Sequence, residues 1–177
     1  MQESKFLLCL TALNESGAQF ILVGGLAAVL QGAPIQTYDV DIVYSRVPDN
    51  IERLLGVLNS IERIFRIQPD RRLRPNATQL QGVGQLNLIT RLGPLDLLAT
   101  VGEGLTYDDL LPHSKLMLIT ETTHIRVLDL EEIIAIKEKL GSEKDIAVLP
   151  LLRQTARELK KRQSELSSRF VPHPDRS

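Results

Sequence analysis

The sequence is poor in the residues that build metal centres from sulfur or imidazole. Its 177 residues include one cysteine, Cys9, and three histidines. A disulfide framework and a cysteine-rich zinc site are therefore excluded, and a histidine-rich metal centre is not expected. The chain has no tryptophan, three tyrosines and four phenylalanines, which leaves few rings on which nucleic-acid bases could stack. Carboxylates remain as the candidate ligands for a metal.

An excess of charge of one sign is also missing. Lys and Arg total 21 against 22 Asp and Glu, so no dominant attraction to nucleic acid or to an anionic membrane is expected. The longest uncharged run, 16–38, has the length of a membrane span, but four glycines and a proline interrupt it, so it indicates strand, turn and helix. The polar start does not resemble a signal peptide. We expect a cytoplasmic protein without a membrane partner.

Length and composition predict one globular domain. Apolar residues make up 43% of the chain and charged residues 24%, an ordinary balance for a folded domain. We expect this domain to cover residues 1–165, with its core at about 18–150, a C-terminal helix at 142–163 and a disordered tail at 166–177. Mixed strand and helix patterns predict an α+β (mixed α/β) fold, in which helices flank a small mixed β-sheet and further helices follow at the C-terminus.

Hydrophobic periodicity and turn residues give the expected elements. Between 67 and 82 we expect an irregular loop, and we expect Pro150 to kink or split the last helix. The predicted helices cover 3–16, 26–31, 48–61, 130–140 and 142–163. The predicted strands cover 19–23, 37–44, 64–67, 86–91, 95–99, 116–120 and 125–128.

Asp39 and Asp41 lie within an otherwise apolar predicted strand. The two-residue period of a strand places both carboxylates on one face, with their Cα atoms about 6.5 Å apart. Burying two like charges this close is costly unless a cation neutralises them, and Mg²⁺ favours one or two carboxylates together with substrate phosphates. A solvated strand face would show the same spacing, so the spacing alone leaves both interpretations open.

Gly24-Gly25 separates a predicted strand from a predicted helix. Glycines allow a ligand to approach the backbone closely, and the following helix would offer free N–H groups to an anion. A tight strand-to-helix turn is the simpler explanation of the same two glycines. Taken alone, the pair does not decide between them.

Together the two features resemble a known family. Gly24-Gly25 is followed after thirteen residues by Asp39-Val40-Asp41, which is similar to the Gly-Gly/Ser … Asp-x-Asp signature of the DNA polymerase beta-like nucleotidyltransferase superfamily. The surrounding residues look like its small bacterial stand-alone members, which include abortive-infection and toxin–antitoxin types. A helix carrying Lys137, followed by Lys144-Asp145, adds to the likeness.

The resemblance implies a set of site residues. Asp39 and Asp41 would hold two Mg²⁺ (or Mn²⁺) ions, and a third carboxylate, for which Asp96 is the candidate, would bind the metal beside the nucleophile and accept its proton. A strand-end acid facing water is the plain alternative for Asp96. If its distance from Asp41 exceeded about 10 Å, a shared metal site would be excluded.

The resemblance also implies contacts to a nucleoside triphosphate. They would come from Gly24, Gly25, Thr37 and Lys137, although a helix lysine is more often a solvated surface group. The sequence departs from the family pattern at Gln36, where an arginine often stands, and at Gly141-Ser142, which replaces a basic stretch. Both departures remove positive charge that a triphosphate would attract.

The activity implied by the resemblance is transfer of a nucleoside monophosphate to a hydroxyl of RNA, a protein or a small molecule, by a chain that acts alone, as a homodimer or with an antitoxin partner. One alternative is an inactive member that serves as a binding module or antitoxin-type partner. Another is a nucleic-acid adaptor that uses arginines, since two basic stretches occur in the chain. They are Arg63, Arg66, Arg71, Arg72 and Arg74, and Arg153, Arg157, Lys160, Lys161 and Arg162.

Overall fold

The computed structural model describes residues 4–67 and 69–169. Over these residues the strands are β1 (Phe20–Val23), β2 (Val40–Tyr44), β3 (Ile64–Phe65), β4 (Gln85–Thr90), β5 (Gly93–Leu98), β6 (Ser114–Leu118) and β7 (His124–Leu128). The α-helices are α1 (Lys5–Glu15), α2 (Gly24–Leu30), α3 (Pro48–Ser60), α4 (Ala77–Gln81), α5 (Tyr107–Leu110), α6 (Leu130–Leu140) and α7 (Glu143–Arg169).

The strands form one mixed sheet in the order β3-β4-β5-β2-β1-β7-β6. At its centre β2 pairs antiparallel with β1 and parallel with β5, while β1 pairs parallel with β7. Helix α1 contacts α3, and α6 packs against α2 and α7. The expected fold, a small mixed sheet flanked by helices with further helices at the C-terminus, is confirmed.

Burial explains why the central elements form where they do. All four residues of β1 are buried, as an uninterrupted apolar run in a central strand requires. On α3, Ile51, Leu54 and Leu58 recur at helical spacing and are buried, and Pro48 stands in the first turn, where its missing N–H costs nothing. These buried residues belong to one core, which stabilises the pairing of the central strands.

The connection from β1 to β2 differs from the prediction at both ends. Helix α2 begins at Gly24, two residues earlier than expected, because Gly24 itself makes the turn out of β1 with φ +68°. Strand β2 begins at Val40 rather than at residue 37. Val23 is the last residue of β1 and pairs with Asp41, so the residues before Val40 extend past the end of β1.

Three further segments differ from the prediction. The expected loop between 67 and 82 contains α4, which begins with a capping box between Asn76 and Gln79. Helix α5 lies in a stretch for which no element was predicted. Helix α7 continues through Pro150 without splitting and reaches Arg169, beyond the predicted end at 163, so the first residues of the expected tail are helical. Residues 170–177 of that tail lie outside the described residues.

The uncharged run of the sequence, 16–38, does not form one long helix. Within 4–67 and 69–169, none of them is at once long and apolar enough to cross a lipid bilayer. The run 16–38 instead contains Ser16, which caps the C-terminus of α1, together with all of β1 and all of α2.

Candidate active site

Three carboxylates converge at one end of the central strands. Asp39 immediately precedes β2, Asp41 lies within β2, and Asp96 lies within the neighbouring β5. One oxygen of each carboxylate lies within 4.8 Å of an oxygen of the other two. This separation is well inside the limit of about 10 Å beyond which the three could not share a metal site.

The pairing of β2 with β5 produces this convergence. The two strands are parallel, and their register places Asp41 directly beside Asp96. Residues that are paired across neighbouring strands project to the same face of a sheet, so the two side chains must lie together. Asp39, two residues before Asp41, joins them from the segment that leads into β2.

Burial and mutual repulsion act on Asp41. Removal from solvent is the main cause that raises its pKa from 3.8 to about 7, and the negative charges of Asp39 and Asp96 raise it further. Lys137 and Lys144 oppose this shift without cancelling it. The two lysines therefore offset only part of the rise in this pKa.

Protein donors hold both oxygens of Asp96. Nη2 of Arg66 donates to Oδ1 at 2.5 Å, while the side-chain amides of Asn87 and Gln85 donate to Oδ2 at 3.0 and 3.4 Å. The residue is only 4% exposed. Burial raises the pKa of this carboxyl. Arg66 and the two amides lower the pKa in part, but it stays above its usual value.

Gly24 and Gly25 occupy positions where a side chain would collide with the site. A Cβ on Gly24 would lie 2.2 Å from Oδ2 of Asp41, and a Cβ on Gly25 would lie 2.8 Å from Oγ1 of Thr37. Both collisions are closer than real Cβ contacts allow, and the positive φ of Gly24 adds a second reason for glycine there. The two glycines are thus required by the packing around Asp41 and Thr37.

Lys137 of α6 lies beside the carboxylates and is itself paired. Its Nζ donates to Oδ1 of Asp145 at 2.5 Å, and Oγ of Ser142 donates to Oδ2 of the same carboxylate, also at 2.5 Å. Burial acts to raise the pKa of Asp145, but these two hydrogen bonds and the positive charges of Lys137 and Lys144 together hold the pKa below its usual value. Lys137 is mostly buried and held in place, not a solvated surface lysine.

Two cavities meet at these residues. The first, which we call the carboxylate cavity, has a volume of about 340 Å³ and is lined by all three carboxylates. The second, the apolar cavity, measures about 320 Å³ and lies between the sheet and α6. Both are lined by Gly24, Asp41 and Lys137. The other residues of the carboxylate cavity are Gly25, Ile35, Gln36, Thr37, Asp39, Asp96, Ser142, Lys144, Asp145 and Val148.

The donor set fits a hard divalent cation. Mg²⁺ and Mn²⁺ bind carboxylate oxygens, and the oxygens of the three acids lie close enough to share ions. Asp41 is buried beside two further carboxylates, and Lys137 and Lys144 offset the resulting rise in its pKa only in part. Asp39, Asp41 and Asp96 are the residues that would hold the metal. Oδ1 of Asp96 accepts one hydrogen bond, from Arg66, and keeps a lone pair for a metal, whereas Oδ2 already accepts two.

Sequence reasoning overlooked the groups that surround Asp96. Gln85 and Asn87 alternate in β4, so their shared face was readable from the two-residue period. Arg66, a member of the first basic stretch, donates to Asp96, and Arg63 of the same stretch is buried and donates a hydrogen bond to Asn59. Two members of that stretch therefore do not face a nucleic acid.

Comparison with known proteins identifies the fold. No family model matches the chain, and no curated protein matches it. Among solved structures, the chain is similar to the lincosamide antibiotic adenylyltransferase LnuA with lincomycin bound, at 13% identity and a TM-score of 0.57, covering 88% of this chain and 98% of that one. It is also similar to a candidate nucleotidyltransferase from Thermotoga maritima, at 17% identity and a TM-score of 0.50, over 90% of each chain. The chain therefore has the nucleotidyltransferase fold.

Proposed function

We propose that this chain is a divalent-metal-dependent nucleotidyltransferase, which transfers a nucleoside monophosphate from a nucleoside triphosphate to an acceptor hydroxyl. The observation that carries the proposal is the convergence of Asp39, Asp41 and Asp96 in one cavity with Gly24 and Gly25. The fold, shared with two nucleotidyltransferase structures, supports it. Mg²⁺ or Mn²⁺ held by the three acids would neutralise phosphate charge and lower the pKa of the attacking hydroxyl.

The chain's own residues orient the donor. Gly24 and Gly25 line the carboxylate cavity, and because they have no side chains, Asp41 and Thr37 can lie against their backbone at the place where the phosphates would bind. Lys137 and Lys144 line the same cavity and supply positive charge for the triphosphate, and Thr37 offers a hydroxyl at its edge.

Asp96 is placed to accept the proton of the acceptor. The acceptor oxygen forms a bond to the α-phosphorus as the bond from that phosphorus to the bridging oxygen breaks, and pyrophosphate leaves with the electron pair. The hydroxyl proton passes to a carboxylate oxygen of Asp96, which lines the carboxylate cavity. Arg66 and Asn87 keep that carboxylate oriented during the transfer.

The test is a transfer assay with the triphosphates of A, G, C and U, each labelled at the α-phosphate, and Mg²⁺ or Mn²⁺. Three acceptor pools are offered, namely small hydroxyl compounds, RNA and protein; the small compounds come first because LnuA is described as an antibiotic adenylyltransferase. We expect label in one pool from wild type and none from Asp39→Asn, whereas Asp70→Asn, at an exposed site, keeps the activity.

Two results would count against the proposal. Transfer that survives in Asp39→Asn would show that the carboxylates do not take part in the reaction. Binding of nucleotide without transfer to any pool would instead favour the inactive binding module or antitoxin-type partner.

A further inference from the structure

We propose that the apolar cavity receives the nucleoside of the donor nucleotide, while its phosphates occupy the carboxylate cavity. This inference rests on the proposed function, and it adds where the uncharged half of the substrate binds. The two cavities share three lining residues, Gly24, Asp41 and Lys137, and so adjoin one another. A molecule with an anionic end and an uncharged end can therefore occupy both at once.

The lining of the apolar cavity suits an uncharged, largely apolar group. Among the residues that the structure describes, the charged ones that line it are Asp41 and Lys137, at the boundary with the carboxylate cavity. The faces of a nucleobase are apolar and gain from burial among aliphatic side chains, whereas phosphates would lose solvation there. The aliphatic lining consists of Val23, Leu98, Val101, Leu128, Ile133, Ile136 and Leu140.

Two uncharged polar side chains complete the lining. Gln85 and Thr100 stand in the wall formed by β4 and the end of β5. A few placed polar groups in a mainly apolar pocket are typical of sites for small molecules, where they fix orientation. The amide of Gln85 and the hydroxyl of Thr100 can each donate and accept, as the edge of a base or the hydroxyls of a sugar require.

The carboxylates indicate that the donor, not the acceptor, takes this cavity. In the proposed reaction Asp96 takes the proton of the acceptor, so the acceptor must lie beside Asp96. Asp96 lines the carboxylate cavity but not the apolar one, whereas Asp41 lines both. Gln85 stands between Asp96 and the apolar cavity, since it lines that cavity and donates to Oδ2 of Asp96, so an acceptor oxygen reaches Asp96 from the carboxylate cavity.

Filling the cavity tests the inference through binding. Thr100→Phe places a ring in the half-buried wall, and Thr122→Phe makes the same change at an exposed site between β6 and β7. Titration calorimetry with Mg-ATP, Mg-UTP and Mg-tripolyphosphate then compares ligands with and without a nucleoside. We expect Thr100→Phe to weaken both nucleotides about tenfold or more, while tripolyphosphate binding and the Thr122→Phe control stay within about twofold of wild type.

A single tryptophan gives a second readout at a position that tolerates change. The chain has no tryptophan, and Leu140, which lines the cavity, is 55% exposed. Leu118 is 57% exposed on β6, where it pairs with His124 at the opposite end of β7 from the cavity residue Leu128. We expect the fluorescence of Leu140→Trp to change with Mg-ATP and not with Mg-tripolyphosphate. The fluorescence of Leu118→Trp should change with neither ligand.

The outcomes separate this inference from the proposed function. If wild type binds tripolyphosphate as tightly as the nucleotides, or if Thr100→Phe weakens all three ligands equally or none of them, the nucleoside lies elsewhere and the inference alone is overturned. An identical response of Leu140→Trp to both ligands would overturn it as well. If wild type binds none of the three ligands, the proposed function fails and the inference fails with it.

Discussion

Nη2 of Arg66 lies 2.5 Å from Oδ1 of Asp96, and this ion pair fixes the most buried carboxylate of the site. The Arg66 side chain is 33% exposed and approaches from the end of β3, while Asn87 donates to the other oxygen of Asp96 from β4. The carboxylate is therefore held from both sides, facing Asp39 and Asp41. Arg66 thus adds a positive charge beside the three acids, besides those of Lys137 and Lys144, which lower the pKa of Asp41.

Removing that charge should destabilise the protein. Arg66→Gln leaves Asp96 buried with only amide donors, and we expect the free energy of unfolding to fall by about 1–3 kcal/mol, less than for a fully buried pair because Arg66 is partly exposed. Urea denaturation measures the change. Arg91→Gln, at an exposed arginine, should stay within about 0.5 kcal/mol of wild type.

A double-mutant cycle isolates the pair itself. In an Asp96→Asn background the buried negative charge is gone, so Arg66→Gln should cost clearly less than it does in wild type. Equal costs in the two backgrounds would mean that Arg66 stabilises the fold through contacts other than Asp96.

Replacing Gly24 with alanine should lower the free energy of unfolding more than replacing Gly32, a glycine that also has a positive φ. Gly24 and Gly32 both have positive φ, at +68° and +96°, but a Cβ at Gly32 meets nothing within 4 Å, whereas one at Gly24 collides with Asp41. Gly32→Ala therefore reports backbone strain alone, about 1–2 kcal/mol. We expect Gly24→Ala to cost more in urea denaturation and also to lose the stabilisation by Mg²⁺ and nucleotide, which Gly32→Ala keeps. Equal effects would show that Asp41 has room to move.

The sequence predicted the parts of the site that depend on local spacing. Asp39 and Asp41 are two residues apart and Gly24 follows a continuous apolar strand, so both features could be read from a short window. Asp96 is fifty-five residues from Asp41 and joins it only through strand pairing, which spacing does not reveal; it came from the family resemblance.

Other features depended on tertiary contacts or on weak local signals. Arg66 follows a two-residue strand that is too short for periodicity, so nothing in the sequence indicated that it points inward. The Asn76–Gln79 capping box of α4 was a readable signal, but neighbouring prolines and arginines favoured a loop. Helix α7 continues through Pro150 because α6, which packs along it, supplies contacts that local propensity does not include.

The stability of the metal-free protein should depend on pH through Asp41. Its pKa is about 7 in the folded state against about 4 in an unfolded chain, so between these values the folded state keeps a proton that the unfolded state has lost. The contribution of Asp41 to stability is therefore greatest below pH 4, falls as the pH rises to 7, and is constant above that.

Asp41→Asn removes this dependence, because asparagine does not ionise. In urea denaturation with EDTA present, the variant should gain stability relative to wild type as the pH is raised from about 4.5 to 8. Asp70→Asn, at an exposed site, should keep a constant difference from wild type across the same range. A constant difference for Asp41→Asn as well would place the pKa of Asp41 near its ordinary value.

The most direct test of the carboxylate site is the melting temperature of wild type and Asp41→Asn, each measured at pH 7.5 with EDTA and with Mg²⁺ and ATP. We predict that metal and nucleotide together raise the wild-type melting temperature by about 4 °C or more, since they bind only the folded state. The metal-free variant should melt at or above the wild-type temperature, because it has lost a repulsive charge, and should gain nothing from Mg²⁺ and ATP. A metal-free variant destabilised by about 3–5 kcal/mol, or one that keeps the full shift, would contradict the assignment of Asp41 as a metal ligand.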